Sequence, residues 1–599
     1  MLVVHPGGGP PGCELGGPRS VILGAGWARV PSWVRWGAVS GGVAALPLIG
    51  TTASLLQAGW SPSVDEATIS WRAWDVLAGN GPLVGPFTSG SVDPHHPVFD
   101  LGPLLYWALA VPVHLAPQTG LLIGVTMLGV GSVIIACLAA AAVGGRLVAV
   151  TVGLGAVIVG WSLSAQFDDT LWNPYAALAP FGATLIVAWA VAAGRLCWWP
   201  CLVLLASFCA QSHLTYAAGS LLLVLVAPAL GIHNTRRLRR VVGWRWVPAG
   251  ALVATVCWSA PVWQQLTGSR GNLAAVWTAT ISRGEAGAGF QVGLRNLSRA
   301  VAPPRPVWLQ PPYRHLAFPP ESRSATWAIA ALVALTVILG LGFWRNHRGV
   351  SSVAAVALLV DITTAGAIGG IPARSFSLSF SYIQYVLWPV GAMTWLALAY
   401  AGVALTGARV ARFASRIRAC RPVMGGTARA LTLILVGLPL LVAAGFASQW
   451  QYRDAPSLGR TASGVIGLPI IGSGRARFSD AADKIAALLG SGPSNGNNRV
   501  AIATPTAGFG QGESLVMRTA YLLRLHGWTP APVELSLSSQ VAPAYSPRPG
   551  DPVLGVTAGS PPTGARLLGE VDYREGIPFT FSTRIVHRNV WLRPPKKPV

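Results

Sequence analysis

A chain of 599 residues in which 52% are hydrophobic and only 11% charged, with a mean hydropathy of +0.52, does not fit a soluble globular protein, whose charged fraction is about 25%. The composition is that of a polytopic membrane protein. Its net charge of +23 sits largely on arginines between apolar runs, where it sets topology and meets anionic lipid; no stacking platform or recognition motif points to nucleic acid.

In chain order, residues 1–33 are rich in Gly and Pro and lack the charged start and cleavage site of a secretory signal, which predicts a disordered cytoplasmic tail. A transmembrane domain over 34–448 follows. Runs of about twenty residues, enough to span, fall near 35–56, 120–143, 146–165, 175–194, 197–212, 214–232, 247–266, 325–344, 350–370, 382–405 and 428–448, so about eleven transmembrane helices are expected. The arginine-rich connections at Arg236–Arg245, Arg345–Arg348 and Arg409–Arg421 belong in the cytoplasm. Tracing outward from them puts 57–119, 166–174, 267–324, 371–381 and everything after Gln449 on the exterior. That trace requires Leu101–Leu115 to lie at the outer interface rather than cross, which suits its prolines and its Tyr106-Trp107 pair.

From 449 to 599 the composition turns polar and no spanning run remains, so a small exterior α/β domain is expected. Its predicted elements are an amphipathic stretch Ser479–Leu489, a strand Val500–Ala503, a helix Glu513–His526 and strands near Val553–Val556 and Phe579–Val586. The turn Ala507–Gly512 matches neither a dinucleotide nor a P-loop spacing and reads first as a tight turn. Most cysteines lie inside apolar runs and read as small core residues.

The acids carry the functional signal. Seven of the eleven acidic residues before Gln449 fall in two segments, Asp65–Asp100 and Asp168-Asp169. Carboxylates are costly in or beside hydrocarbon, so their clustering on one side points to chemistry there. The first outer loop starts Val64-Asp65-Glu66-Ala67, runs through Asp93-Pro94-His95-His96-Pro97, and ends Phe99-Asp100-Leu101-Gly102-Pro103-Leu104-Leu105-Tyr106-Trp107. The second ends the run Trp161–Gln166 in Phe167-Asp168-Asp169-Thr170, followed by Trp172-Asn173-Pro174.

In this order and spacing, over roughly residues 35–235, the chain resembles the C-type (GT-C) glycosyltransferases that use polyprenyl-phosphate sugars, the group of the aminoarabinose transferases and protein O-mannosyltransferases. The resemblance implies a GT-C-like helical membrane fold and transfer of a sugar, with inversion, from a polyprenyl-phosphate donor to an envelope glycan, glycolipid or protein at the outer face of the plasma membrane. It implies Asp65 as base, with Glu66 as neighbour or alternate, and Asp168 or Asp169 as a second carboxylate. No cofactor is required outright; Asp65, Asp168, His95 and His96 form a workable ligand set for a divalent metal cation, against which stands a plain loop-packing role for the histidines. Where such enzymes often place a lysine for the lipid phosphate, this chain has Gln211-Ser212-His213-Leu214-Thr215-Tyr216. His213 and Tyr216 are candidates for that role, with Arg270, Arg314 and Arg374 as sources of charge; a simple helix-interface role is the alternative for His213. Asp361 stands alone in an apolar run and could pair with Arg374. A polyprenyl-linked glycan flippase, or a degenerate scaffold, is the rival reading.

Overall fold

The computed structural model describes residues 30–418 and 481–594, apart from 58, 63, 89–97, 168–170, 238–245, 269–270, 282–286, 304–305, 311–323, 372–382, 494–497, 504–510, 534–544, 546, 550, 558–559 and 577–582. Among the described residues are eight helices long and apolar enough to cross a membrane, and the chain is a multi-pass membrane protein. The expected run 428–448 lies outside the described residues, and a count of eleven is not established.

The first span, α1 (Ser32–Ala44) continued by α2 (Leu46–Gln57), packs on the long α5 (Gly120–Phe167). Small residues set that contact, because no hydrophobic force brings helices together in lipid and close backbone approach must supply the attraction. Gly37 and Gly41 form a Gly-x-x-x-Gly stripe; a Cβ on them would lie 2.7 Å from the Leu138 Cα and 2.6 Å from the Ile134 Cα. Two expected spans make up α5, which is interrupted at Gly145, where φ is 71°. A Cβ at Gly153 would come within 3.6 Å of the Cys137 sulfur, so the two halves fold back on each other. Glycine is the residue that tolerates this turn.

A single turn, Asn173–Ala176, leads into α6 (Leu178–Ala192), every residue of which from Ala183 onward is buried. It is apolar all round, as befits a helix surrounded by others. Around it stand α5, α7 (Trp199–Ser212), α8 (Leu214–Arg237), α13 (Arg348–Gly369) and α14 (Leu387–Arg418), with α9 (Trp246–Thr267) packed on α7 and α12 (Thr326–Trp344) on α13. Shorter helices occupy one end: α3 (Val64–Leu77), α4 (Leu104–Leu115), α10 (Asn272–Ile281) and α11 (Phe290–Val301). The segment expected at the interface is α4, with Leu105, Tyr106 and Leu109 buried. Asp361 is buried in α13 and both its oxygens accept from the Thr394 hydroxyl, at 2.9 and 3.0 Å; Arg374, its expected partner, lies outside the described residues. Cys137, Cys209 and Cys257 are buried free thiols, whereas Cys197 takes part in a disulfide, which the sequence reading did not give.

The C-terminal domain is a five-stranded mixed sheet in the order β2-β1-β3-β5-β4. Strand β1 (Arg499–Ala503) runs parallel to β2 (Thr529–Pro532) and β3 (Val553–Thr557), while β5 (Thr583–Arg593) is antiparallel to β3 and to β4 (Arg566–Gly576). The helix α15 (Gln511–Leu525) and the helical segment 481–489 cover it. Its core contains Val500, Ile502, Tyr521 and Leu554, and also Ala67 and Trp71 of α3.

Gly41→Val is expected to force α1 away from Ile134, at a cost of about 1–3 kcal/mol. A lower unfolding midpoint of the detergent-solubilised variant, followed by tryptophan fluorescence, checks this.

Candidate active site

The chain leaves α2 and re-enters helix at α3, whose first turn holds Asp65 and Glu66. Carboxylates suit that position, because the free N–H groups of a helix start carry partial positive charge. Glu66 is buried, and its Oε1 accepts the Leu171 backbone N–H at 3.1 Å. Leu171 lies two residues beyond Asp169, so the first loop's acid reaches directly to the second acidic segment. Asp65 is half-buried beside it. The Tyr106 side chain of α4 is 2% exposed and has Arg72, Asp100 and Asp65 as its charged neighbours.

Asp100 ties these loops together. Its Oδ1 accepts the Leu214 N–H at 3.1 Å and its Oδ2 accepts the Asn173 side-chain amide at 2.9 Å. That amide also donates to the Ser212 carbonyl at 3.0 Å. From a fourth loop, the Asn272 amide donates to the carbonyls of Phe99 and Asp100 at 3.1 and 3.2 Å and accepts the Phe99 N–H. On the other side of the strand-like pair Phe87–Phe99, Asp100 exchanges backbone hydrogen bonds with Gly85 and Pro86. A Cβ at Gly85 would lie 2.8 Å from the Asp100 Cβ and 2.8 Å from the Gly102 carbonyl, so only glycine fits. Burial pushes the Asp100 carboxyl well above the usual carboxylate range, partly offset by the Leu214 and Asn173 donors.

His213 sits in extended backbone between α7 and α8. Its Nδ1 accepts the Thr215 N–H at 3.3 Å, which leaves the proton of the neutral ring on Nε2. Desolvation lowers its pKa to about 4, so near neutral pH it offers an uncharged donor and no cation. The Tyr216 hydroxyl is buried and donates to the Pro174 carbonyl at 2.8 Å; it joins the start of α8 to the turn Asn173–Ala176. Asp168, Asp169, His95, His96, Arg270, Arg314, Arg374 and most of the Gly-rich turn lie outside the described residues. Among the described residues no group of three or more His, Cys, Asp or Glu side chains is arranged to hold a metal.

An apolar cavity of about 650 Å³ opens between α1, α2, α5, α6, α14 and the segment around Trp308, with Pro47, Leu163, Ile186 and Met393 in its wall. Trp161 and Leu163 of its lining are within two turns of the second acidic segment. The Ser162 hydroxyl is shared between the carbonyls of Val307 and Gln310 and accepts the Trp388 indole N–H at 3.0 Å, which fixes the 307–310 segment over α5.

Glu66 is therefore brought to the second loop through Leu171. Asp100, Tyr106, Asn173 and Asn272 were not assigned roles from the sequence, although Asp100 and Asn173 stood in the quoted motifs as an acid and an Asn-Pro pair.

No family model matches the chain, and no curated protein matches it significantly. Among solved structures, it is similar to ArnT from Cupriavidus metallidurans bound to undecaprenyl phosphate, with a TM-score of 0.46 and 13% identity over 95% of this chain and 98% of that one. The apo form of the same protein gives a TM-score of 0.43 and 15% identity over 92% and 97%. At these scores and identities neither activity nor residue roles transfer.

The raised Asp100 pKa has a definite pH signature. A buried acid whose folded pKa exceeds its unfolded value stabilises the fold fully below the unfolded pKa, near 3.8, and loses that contribution as pH rises through the folded value. Relative to Asp100→Asn, which does not titrate, the native protein should be most stable near the acid end and lose advantage toward neutral pH. Unfolding midpoints of both proteins between pH 4 and 8 read this directly.

Proposed function

We propose that this protein is an integral membrane glycosyltransferase that moves a sugar from a polyprenyl-phosphate donor onto a cell-envelope glycan, glycolipid or protein at the outer face of the plasma membrane. The observation that carries the reading is the meeting of two acid-bearing loops through Glu66 and Leu171, at the end of the helix bundle where the apolar cavity approaches the same segment. An apolar slot of about 650 Å³, whose Leu163 lies five residues before Asp168 in sequence, suits an isoprenoid chain whose phosphate ends at the polar loops. Carboxylates on the adjoining loops suit base chemistry on an acceptor hydroxyl.

Asp65, half-buried and beside Glu66, takes the proton of the acceptor hydroxyl as it attacks the anomeric carbon. The lipid phosphate leaves from the opposite face with the electron pair of the broken bond, so the sugar carbon inverts. Glu66, which accepts the Leu171 N–H, orients the second loop, from which Asp168 or Asp169 positions the acceptor. Near neutral pH the His213 Nε2–H serves as a neutral donor to the phosphate, with charge supplied by Arg270, Arg314 or Arg374. Asp65, Asp168, His95 and His96 are the residues that would hold a divalent cation, which would lend electrostatic stabilisation to the departing phosphate. In this reading the C-terminal domain is exterior and faces the acceptor.

Asp65→Asn should insert normally and lose transfer by about 10²–10⁴-fold, the usual contribution of a positioned base. Reconstituted membranes supplied with a radiolabelled polyprenyl-phosphate sugar and an envelope extract check it. Wild-type rates in both Asp65→Asn and Asp168→Asn would remove the proposed site.

A further inference from the structure

Helix α3 belongs to two cores at once. Ile69 and Ala73 pack into the membrane-domain core, whereas Ala67 and Trp71, one turn apart on another face, are buried in the core of the C-terminal domain. Asp75 continues that second stripe and is completely buried. Its oxygens receive Arg72 at 2.6 Å from the same helix, Arg524 at 3.2 Å from α15, and the Tyr545 hydroxyl at 2.8 Å. Trp71 meets the Tyr545 ring edge-on at 4.5 Å, and the Arg72 guanidinium lies over that ring.

A second attachment flanks the first. The buried Arg518 donates to the Pro62 carbonyl just before α3 and to Gln118 after α4, and the Tyr521 hydroxyl donates to the Pro117 carbonyl at 2.7 Å. Both ends of the segment that carries Asp65 and Glu66 are thus gripped from one side by α15.

Asp75 is nine residues from Glu66, about 13 Å along the helix axis, so it touches none of the reacting atoms. A helix of 14 residues is marginal on its own and takes its order from what packs on it. Its rotation about its axis decides whether Glu66 meets Leu171 and whether Asp65 faces Tyr106. Two guanidiniums and a phenol converging on one buried carboxylate define that rotation far better than apolar contact does, because charge-assisted hydrogen bonds are directional and breaking such a buried cluster is costly.

We propose that Asp75, Arg524 and Tyr545 are positioning residues through which the C-terminal domain sets the rotation of α3 and so holds the Asp65–Glu66 pair in its working place. The proposal deepens the glycosyltransferase reading and rests on it for the word working; the geometric claim has its own readout.

The test uses the full chain in lipid nanodiscs, as wild type, Asp75→Asn, Arg524→Met and Tyr545→Phe, with hydrogen–deuterium exchange followed over 64–77 and 171–176. Exchange of the Leu171 amide, whose proton is held by Glu66, should rise about tenfold in Asp75→Asn and less in Tyr545→Phe. Amides of α6 should keep their protection. On the transferase assay kcat should fall in step while the donor KM stays within about twofold. Unchanged Leu171 exchange in all three variants overturns the proposal, as does faster exchange with wild-type kcat where Asp65→Asn itself loses transfer. If Asp75→Asn does not fold, Tyr545→Phe, which removes one hydroxyl, decides. Full transfer by Asp65→Asn and Glu66→Gln alongside a loosened Leu171 would instead sink the enzymatic reading and leave the positioning one standing.

Discussion

One buried carboxylate, Asp100, is the constraint on which the polar end of the bundle depends. Loops that leave a membrane domain at separate helices have no intrinsic reason to share a geometry, since each can satisfy its backbone with water. Here Asp100 accepts from the Leu214 backbone and the Asn173 side chain, while its own backbone is held by Pro86, Gly85 and Asn272. Removing the carboxylate from water is unfavourable, and each donor recovers part of that cost. The arrangement is therefore close to all-or-none: a loop that drifts away leaves an unpaired buried group behind. Precision in the site follows from the penalty for imprecision.

Glycine and small side chains extend the same logic into the membrane. Gly85 lets the chain pass over Asp100, and Gly37 and Gly41 let α1 lie against α5. The apolar cavity among these tight contacts is walled mainly by Ala, Val, Leu, Ile and Gly, with Pro47, Pro303, Pro306, Pro389, Trp161 and Trp308 interspersed.

Much of this architecture was legible in the sequence, and the failures have physical causes. Apolar runs announce spanning helices because lipid demands them, and the Gly144-Gly145 break was visible as a gap between two runs. The acid pair Asp65-Glu66 stood out because acids are rare in such a chain. By contrast, α3 was read as loop: its Trp71, Trp74, Arg72 and Asp75 make no simple one-sided pattern, since the helix buries more than one face. Strand β2 contains two prolines and does not resemble a strand; it forms at the edge of the sheet, where missing donors are tolerated. The tying role of Asp100 could not be seen because its partners are 73 and 114 residues away, and one is a backbone amide. Tyr216 looked like a ligand for phosphate because an exposed hydroxyl and a buried one are the same letter.

The separation between Asp75 and its partners is larger still: 449 residues to Arg524 and 470 to Tyr545. A ribosome adds about 5–20 residues per second, so at least roughly 20 s pass between synthesis of Asp75 and of the side chains that enclose it. Throughout that interval the spanning helices can insert and pack and α3 can set Ile69 and Ala73 against them, yet Asp75 has only Arg72 as a partner and Trp71 lacks the domain that buries it. Completion of the last domain is therefore the step at which Asp75 gains Arg524 and Tyr545, and a truncated or stalled chain would sit in the membrane with that carboxylate held by Arg72 alone.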